Sequence, residues 1–219
     1  PTIDVLNALD LKASAIGNHE LDKGFDDLVN RVVGTGPNAK FAYLGANVYR
    51  KGTTTPALPE YSITTVAGLR VGVIGTVTQE TPALVSPGGV SGVDFGDPVE
   101  ATNRVAAQLT DGDPANGEAD VIVAAYHEGA GAGTPDGATL AQEIAAGGPF
   151  AKIVTQTSAK VDAIFTGHTH KTYAWDAPVP GATDGRTRPV IQTGNYGENI
   201  GNVVLTVSDT TGDVLSYTG

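Results

Sequence analysis

Three short apolar segments of this chain end in the same way. Ile16 runs into Gly17-Asn18-His19-Glu20, Ala125-Tyr126 into His127-Glu128-Gly129, and Phe165-Thr166 into Gly167-His168-Thr169-His170. All four histidines of the sequence sit at these three places. Apolar runs of this length, bounded by glycine and polar residues, read as buried strands over Ala13–Ile16, Val121–Tyr126 and Val161–Thr166. In open α/β sheets, ligands bind beyond the carboxyl ends of the strands. The pattern puts every histidine at a strand end, as a ligand site in a layered α/β protein would.

The rest of the chain fits that class. Thr2 to Leu9 predicts a short amphipathic helix, and Phe25 to Val33 a second, with Phe25, Leu28, Val29 and Val32 on one face and Gly34-Thr35-Gly36-Pro37 as its stop. Phe41 to Val48 predicts one strand. Tyr61–Val66 and Leu69–Val77 predict a hairpin turning at Ala67-Gly68. Thr81 to Gly96, rich in Pro, Gly and Ser, predicts a long surface loop. Asp97-Pro98-Val99-Glu100 combines an N-cap, a first-position proline and a glutamate three residues on, so a helix should start there and run to about Leu109. Helices near Ala138–Ala145 and Phe150–Ser158 precede the third histidine strand. Strands at Pro189–Thr193, Asn202–Val207 and Val214–Tyr217 close the chain, the last two as a hairpin.

Composition removes several functions. The net charge of −11 repels phosphate backbones, so bulk DNA or RNA is excluded as a partner, while a small phosphorylated substrate is compatible if cations supply local positive charge. Without cysteine there is no disulfide, thiolate metal site or cysteine nucleophile. No apolar run reaches the roughly 18 residues of a membrane span. The chain has no methionine and opens with Pro1, so an upstream start, with any signal peptide, is expected beyond it.

Imidazole nitrogens combined with amide or carboxylate oxygens suit a borderline divalent metal: Zn, Mn, Fe or Co. His168 and His170, two apart, point the same way in extended backbone, whereas a loop would splay them. His19 and Asp22 are spaced so that the carboxylate accepts from one ring nitrogen while the other faces a substrate. Plainer readings stand beside these. Asn18 could cap a turn, Asp22 could begin a helix, and a lone His127 could be structural. Glu128 reads as a supporting or solvated carboxylate. Gly129 to Gly133 lacks the third glycine of a dinucleotide loop and any following Walker lysine, and so reads as a plain flexible loop. Tyr196 and Trp175 read as packing residues.

In this order, Gly17-Asn18-His19-Glu20, His127-Glu128-Gly129 and Gly167-His168-Thr169-His170 resemble the later motifs of calcineurin-like metallophosphoesterases. The likeness is to the branch of 5′-nucleotidases and 2′,3′-cyclic-nucleotide phosphodiesterases, and Leu44–Val48, Gly72–Thr78 and Pro189–Gly197 extend it over nearly the whole chain. The resemblance implies a four-layer αββα sandwich, truncated at its N-terminal strands, with residues 1–219 as one catalytic domain. It makes Asn18, His127 and His168 ligands of one metal and His170 a ligand of a second. His19 would stabilise or protonate the leaving group, oriented by Asp22. The implied reaction is two-metal hydrolysis of a small phosphorylated substrate, a nucleotide, with activated water attacking phosphorus in line. The family also places an Asp-x-His and a Gly-Asp motif before Gly17-Asn18-His19-Glu20, and a substrate-holding domain after the catalytic one. Neither is in this sequence, so the chain alone is expected to be inactive. The resemblance further implies an extracellular, periplasmic or cell-surface location. A cyclic-nucleotide phosphodiesterase and a non-catalytic scaffold remain open as alternatives.

Overall fold

The computed structural model describes residues 2–34, 38–131 and 134–219. Its strands in chain order are β1 (Ala13–Ala15), β2 (Ala42–Leu44), β3 (Val48–Arg50), β4 (Tyr61–Val66), β5 (Leu69–Val77), β6 (Val93–Phe95), β7 (Val121–His127), β8 (Ala163–Thr166), β9 (Thr172–Pro178), β10 (Thr187–Thr193), β11 (Val204–Val207) and β12 (Val214–Thr218). The α-helices are α1 (Thr2–Ala8), α2 (Phe25–Asp27), α3 (Thr81–Leu84), α4 (Pro98–Gln108), α5 (Leu140–Ala146) and α6 (Gly148–Gln156).

The main sheet has six strands in the order β4-β5-β7-β8-β10-β9. Its four central strands run parallel, and β4 and β9 are antiparallel edges. Parallel neighbours need crossover connections, which α4 supplies between β5 and β7 and α5 with α6 between β7 and β8. These helices cover one face, where Val99, Val105, Leu109, Phe150, Ile153 and Val154 pack on Ile74, Ile122, Ile164 and Val190. On the other face lies the parallel pair β1-β2. The two sheets approach so closely at Gly75 that a Cβ there would stand 2.5 Å from Leu44 Cβ and 3.0 Å from Ala15 Cα. Beyond β1-β2, α1, α2 and the π-helical stretch Leu28–Gly34 that follows it lay Ile3, Leu6, Phe25, Val29 and Val32 against Ile16, Leu28, Phe41 and Tyr43. The order helix, sheet, sheet, helix is the αββα arrangement. The chemical consequence is positional: β1, β7 and β8 all end at the same rim.

The structure corrects the sequence reading in several places. The segment 81–96 is not a loop: it holds α3, a 3-10 turn at Pro87–Val90 and β6, with Val90 and Val93 buried in the second core. Phe41–Val48 is not one strand. Gly45 and Ala46 donate to Pro59 and Gly75 instead of a ladder partner, and the Asn47 amide exchanges hydrogen bonds with Val77. The helix from Phe25 continues past Asp27 as a π-helical stretch, Leu28–Gly34. Strand β9, Thr172–Pro178, has no counterpart among the elements expected from sequence. Thr35-Gly36-Pro37 of the expected helix stop and Ala132-Gly133 at the end of the Gly129–Gly133 loop lie outside the described residues.

Candidate metal centre

Asn18 opens a 3-10 turn directly after β1. The turn is fixed by Glu20, whose Oε2 accepts from Gly17 N at 2.6 Å; burial pushes that carboxyl's pKa up, against the pull of this backbone bond. Gly17 admits the next strand end: a Cβ there would meet His127 Cε1 at 2.6 Å and Nε2 at 2.9 Å. His127, the last residue of β7, therefore lays its ring directly over Gly17. His168 follows β8 in a left-handed conformation, φ 69°, and His170 repeats it at φ 60°, with Thr169 N donating to Gly167 O at 2.8 Å between them. This kinked backbone splays the two side chains. The His168 ring turns to His127, centroids 5.0 Å apart. His170 turns to the 194–201 turn, with Asn195 Nδ2 at 3.5 Å and the Tyr196 ring at 6.0 Å.

Three donor atoms converge. His127 Nε2 lies 2.9 Å from Asn18 Oδ1 and 3.2 Å from His168 Nδ1. The Asn18 oxygen carries no hydrogen, so a single imidazole proton serves both contacts of this nitrogen. Two ligand atoms bound about 2.0–2.1 Å from one ion stand roughly 3.0–3.4 Å apart. The trio thus presents ligand-atom spacing with one shared proton where a cation would sit, and the donor set fits a divalent metal. Desolvation, with the neighbouring His168, His19 and His170 adding to it, drives the His127 pKa down to about 4. The ring is therefore neutral at pH 7, the form that ligates.

The remaining candidates are placed as follows. His19 Nδ1 lies 3.0 Å from Asp22 Oδ2, and both side chains are exposed. His170 stands outside the trio, and among the described residues no group of three His, Cys, Asp or Glu side chains gathers around one point. Glu128 is neither solvated nor in the trio: it is 6% exposed, accepts from Gly129 N at 3.1 Å, and lines a separate cavity of about 340 Å³ with Lys152 and Asp97. Trp175 packs, stacked on Tyr173 at 4.0 Å. Tyr196 does not; it is 88% exposed. Gln192, at the end of β10, was missed by the sequence reading. It is buried, and its amide touches the loops of both His127 and His168 through Tyr173 and Thr169. Only its place in Pro189–Gly197, within the family likeness, pointed toward it.

None of the known family models matches the chain. The fold is nonetheless that of the calcineurin-like phosphoesterases: YfkN from Bacillus subtilis superposes with a TM-score of 0.73 at 26% identity, over 98% of this chain and 64% of that one. The 5′-nucleotidase precursor from Thermus thermophilus shares the fold with a TM-score of 0.72 at 24% identity, over 99% of this chain and 39% of that one. In sequence, the chain is 28% identical to a snake venom 5′-nucleotidase of Naja atra, over 99% of this chain and 39% of the relative. It is 30% identical to cell wall protein Lmo0130 of Listeria monocytogenes, over 99% and 28%, and 29% identical to endonuclease YhcR of Bacillus subtilis, over 98% and 16%. The chain therefore has 5′-nucleotidases among its homologues and carries the metallophosphoesterase fold. It spans well under half the length of these three relatives.

Proposed function

We propose that residues 1–219 form the metal-holding catalytic domain of a hydrolase of nucleotide phosphoesters, a 5′-nucleotidase-like phosphomonoesterase. The observation that carries this reading is the convergence of Asn18 Oδ1, His127 Nε2 and His168 Nδ1 from three separate strand ends. When bound there, a divalent cation supplies positive charge against the phosphoryl oxygens and a water acidic enough to attack phosphorus. The chain's own residues do the rest. Asn18, His127 and His168 would hold the ion, and burial keeps the His127 ring neutral, with a lone pair to offer. Asp22 holds His19 by Nδ1, leaving Nε2 to give a proton to the departing oxygen. The 5′-nucleotidase relatives support the nucleotide class. A cell-wall relative and a venom relative support action outside the cytoplasm, at the cell surface or beyond, and among the described residues no helix is long and apolar enough to span a membrane.

His170 stands apart from the contacts that join Asn18, His127 and His168, so this chain is expected to hold at most one ion, and that one weakly. Elemental analysis after dialysis against Zn²⁺ or Mn²⁺ should find at most one metal per chain, lost in His168→Ala, with no turnover of nitrophenyl phosphate by the 219 residues. Two tight ions with steady turnover, or metal uptake indifferent to His127→Ala and His168→Ala, refutes the ligand assignment. For the substrate, the metal-loaded natural protein is assayed against mononucleotides, 2′,3′-cyclic nucleotides, sugar phosphates and single-stranded DNA. Phosphate release from mononucleotides is expected. Cleavage of the cyclic nucleotides alone assigns the phosphodiesterase, cleavage of DNA alone an activity like the one named for YhcR, and no cleavage of any a scaffold.

A further inference from the structure

We infer that Gln192 is a positioning residue whose buried side-chain amide sets the distance between the His127 and His168 rings. The role deepens the proposed function and rests on it. Gln192 is 3% exposed, yet every hydrogen-bonding position of its amide is used. Nε2 lies 3.0 Å from both Thr169 Oγ1 and Tyr173 Oη, and Oε1 lies 3.2 Å from Lys171 N and 3.3 Å from Thr169 Oγ1. Thr169 and Lys171 are the residues on either side of His170, and Thr169 is the neighbour of His168. The amide therefore grips the backbone that carries both histidines.

That backbone needs a grip. Two non-glycine residues in left-handed conformation, separated by one residue, persist only where surrounding contacts over-determine them. The same amide reaches the other loop. Tyr173 Oη accepts from Ala130 N at 3.1 Å and pairs with Thr166 Oγ1 at 2.7 Å. Gly129, two residues after His127, has no space for a side chain, because a Cβ would lie 2.4 Å from Gln192 Nε2 and 2.5 Å from Gly167 O. Gln192 is thus wedged between the loop after β7 and the loop after β8, tied to both, and its hydrogen bonds go to neither ring. It acts through the loops, as outer groups around metal sites do.

The test uses nitrogen-15 histidine labelling and zinc titration of the whole chain, with Gln192→Met, which keeps the length and flexibility and removes every hydrogen bond. The expected result is a cooperative melt, loss of the His127–His168 ring-to-ring signal, shifted His168 and His170 resonances with His19 unmoved, and zinc affinity reduced about 10–100-fold. Thr169→Val removes one leg of the grip and should move the same signals by less. If Gln192→Met does not fold, Thr169→Val decides by the same readings. A lower melting temperature with the ring-to-ring signal and zinc affinity intact shows a structural role only and overturns the inference. Absence of zinc uptake by the wild-type chain, with the ring signal still lost in Gln192→Met, refutes the metal centre and upholds the positioning role.

Discussion

Gly17→Ala tests whether His127 is held where the metal centre needs it. Gly17 has φ −105° and ψ 174°, a conformation alanine adopts freely, so the substitution carries no backbone penalty. It even removes unfolded-state freedom, a gain of about 0.4–1 kcal/mol. Against this stands one steric fact: the new Cβ would lie 2.6 Å from His127 Cε1 and 2.8 Å from Nδ1. Carbon atoms rest about 3.5–4.0 Å apart, so the ring must retreat by about 1 Å. It cannot retreat freely, being held between Asn18 and His168. A shift of that size along the 2.9 Å contact to Asn18 takes it past hydrogen-bonding range. Overpacking of this kind costs about 1–3 kcal/mol, which outweighs the entropic gain and leaves a net loss of about 1–2 kcal/mol. For a chain of this size, that lowers the melting temperature by roughly 2–8 °C. Gly88→Ala, where nothing lies within 4 Å and φ is not positive, is the control and should show only the entropic gain of about 0.4–1 kcal/mol. The assay is a thermal melt with histidine resonances recorded on the same samples. A Gly17→Ala protein that melts with the wild type and keeps its His127 ring signals in place would refute the close approach and, with it, the ligand geometry.

Three further outcomes are expected. The His127 pKa lies at about 4 in the folded chain against 6.5 unfolded, so both states are neutral above pH 6.5, and between pH 6.5 and 4 only the unfolded state takes the proton. Stability should therefore fall as pH drops through that window, by about 3 kcal/mol for this group, and denaturant titrations of His127→Gln should show that share missing. Arg188 is 1% exposed and donates to the carbonyls of Thr157, Ser158 and Val161 at 2.6–3.0 Å. Burial drags its own pKa down to about 10, so Arg188→Met relieves desolvation but orphans three acceptors, for a net loss of about 3 kcal/mol by urea unfolding. Asp97→Ala removes the α4 cap, which accepts from Val99 N and Glu100 N at 2.9 Å, and should cost about 1 kcal/mol in the same assay; an unchanged midpoint would show the cap to be idle.

The parts of the fold legible in the sequence were those decided locally. The hairpin over Tyr61–Val66 and Leu69–Val77 needs only alternation and a turn, and the start of α4 needs only four residues in a row. What stayed hidden was decided at a distance. Strand β9 carries the period-two signal in Tyr173, Trp175 and Ala177, yet Asp176 and Pro178 disguise it, and it is a strand because it adds to β10 as the edge of the sheet. The segment 81–96 has loop composition throughout. Val90 and Val93, meeting a core built by residues far away in sequence, order it.

The candidate site divides along the same line. A histidine announces its chemistry in one side chain, and four of them at three strand ends leave little else for the sheet to do with them. The spacing of His168 and His170 leaves two geometries open, and the choice depends on positive backbone φ values, which histidine adopts more often than most residues but still rarely, so the residue type alone does not signal them. Whatever holds those values had to come from outside the motif. Gln192 does so from a different strand, with an amide whose type says only that it forms hydrogen bonds. Glutamine is found on surfaces far more often than in cores, so its burial here is a consequence of the loops that need it. A sequence reading finds the candidate ligand atoms because their chemistry is rare. It misses the atoms that fix the spacing because their chemistry is common and only their burial is unusual.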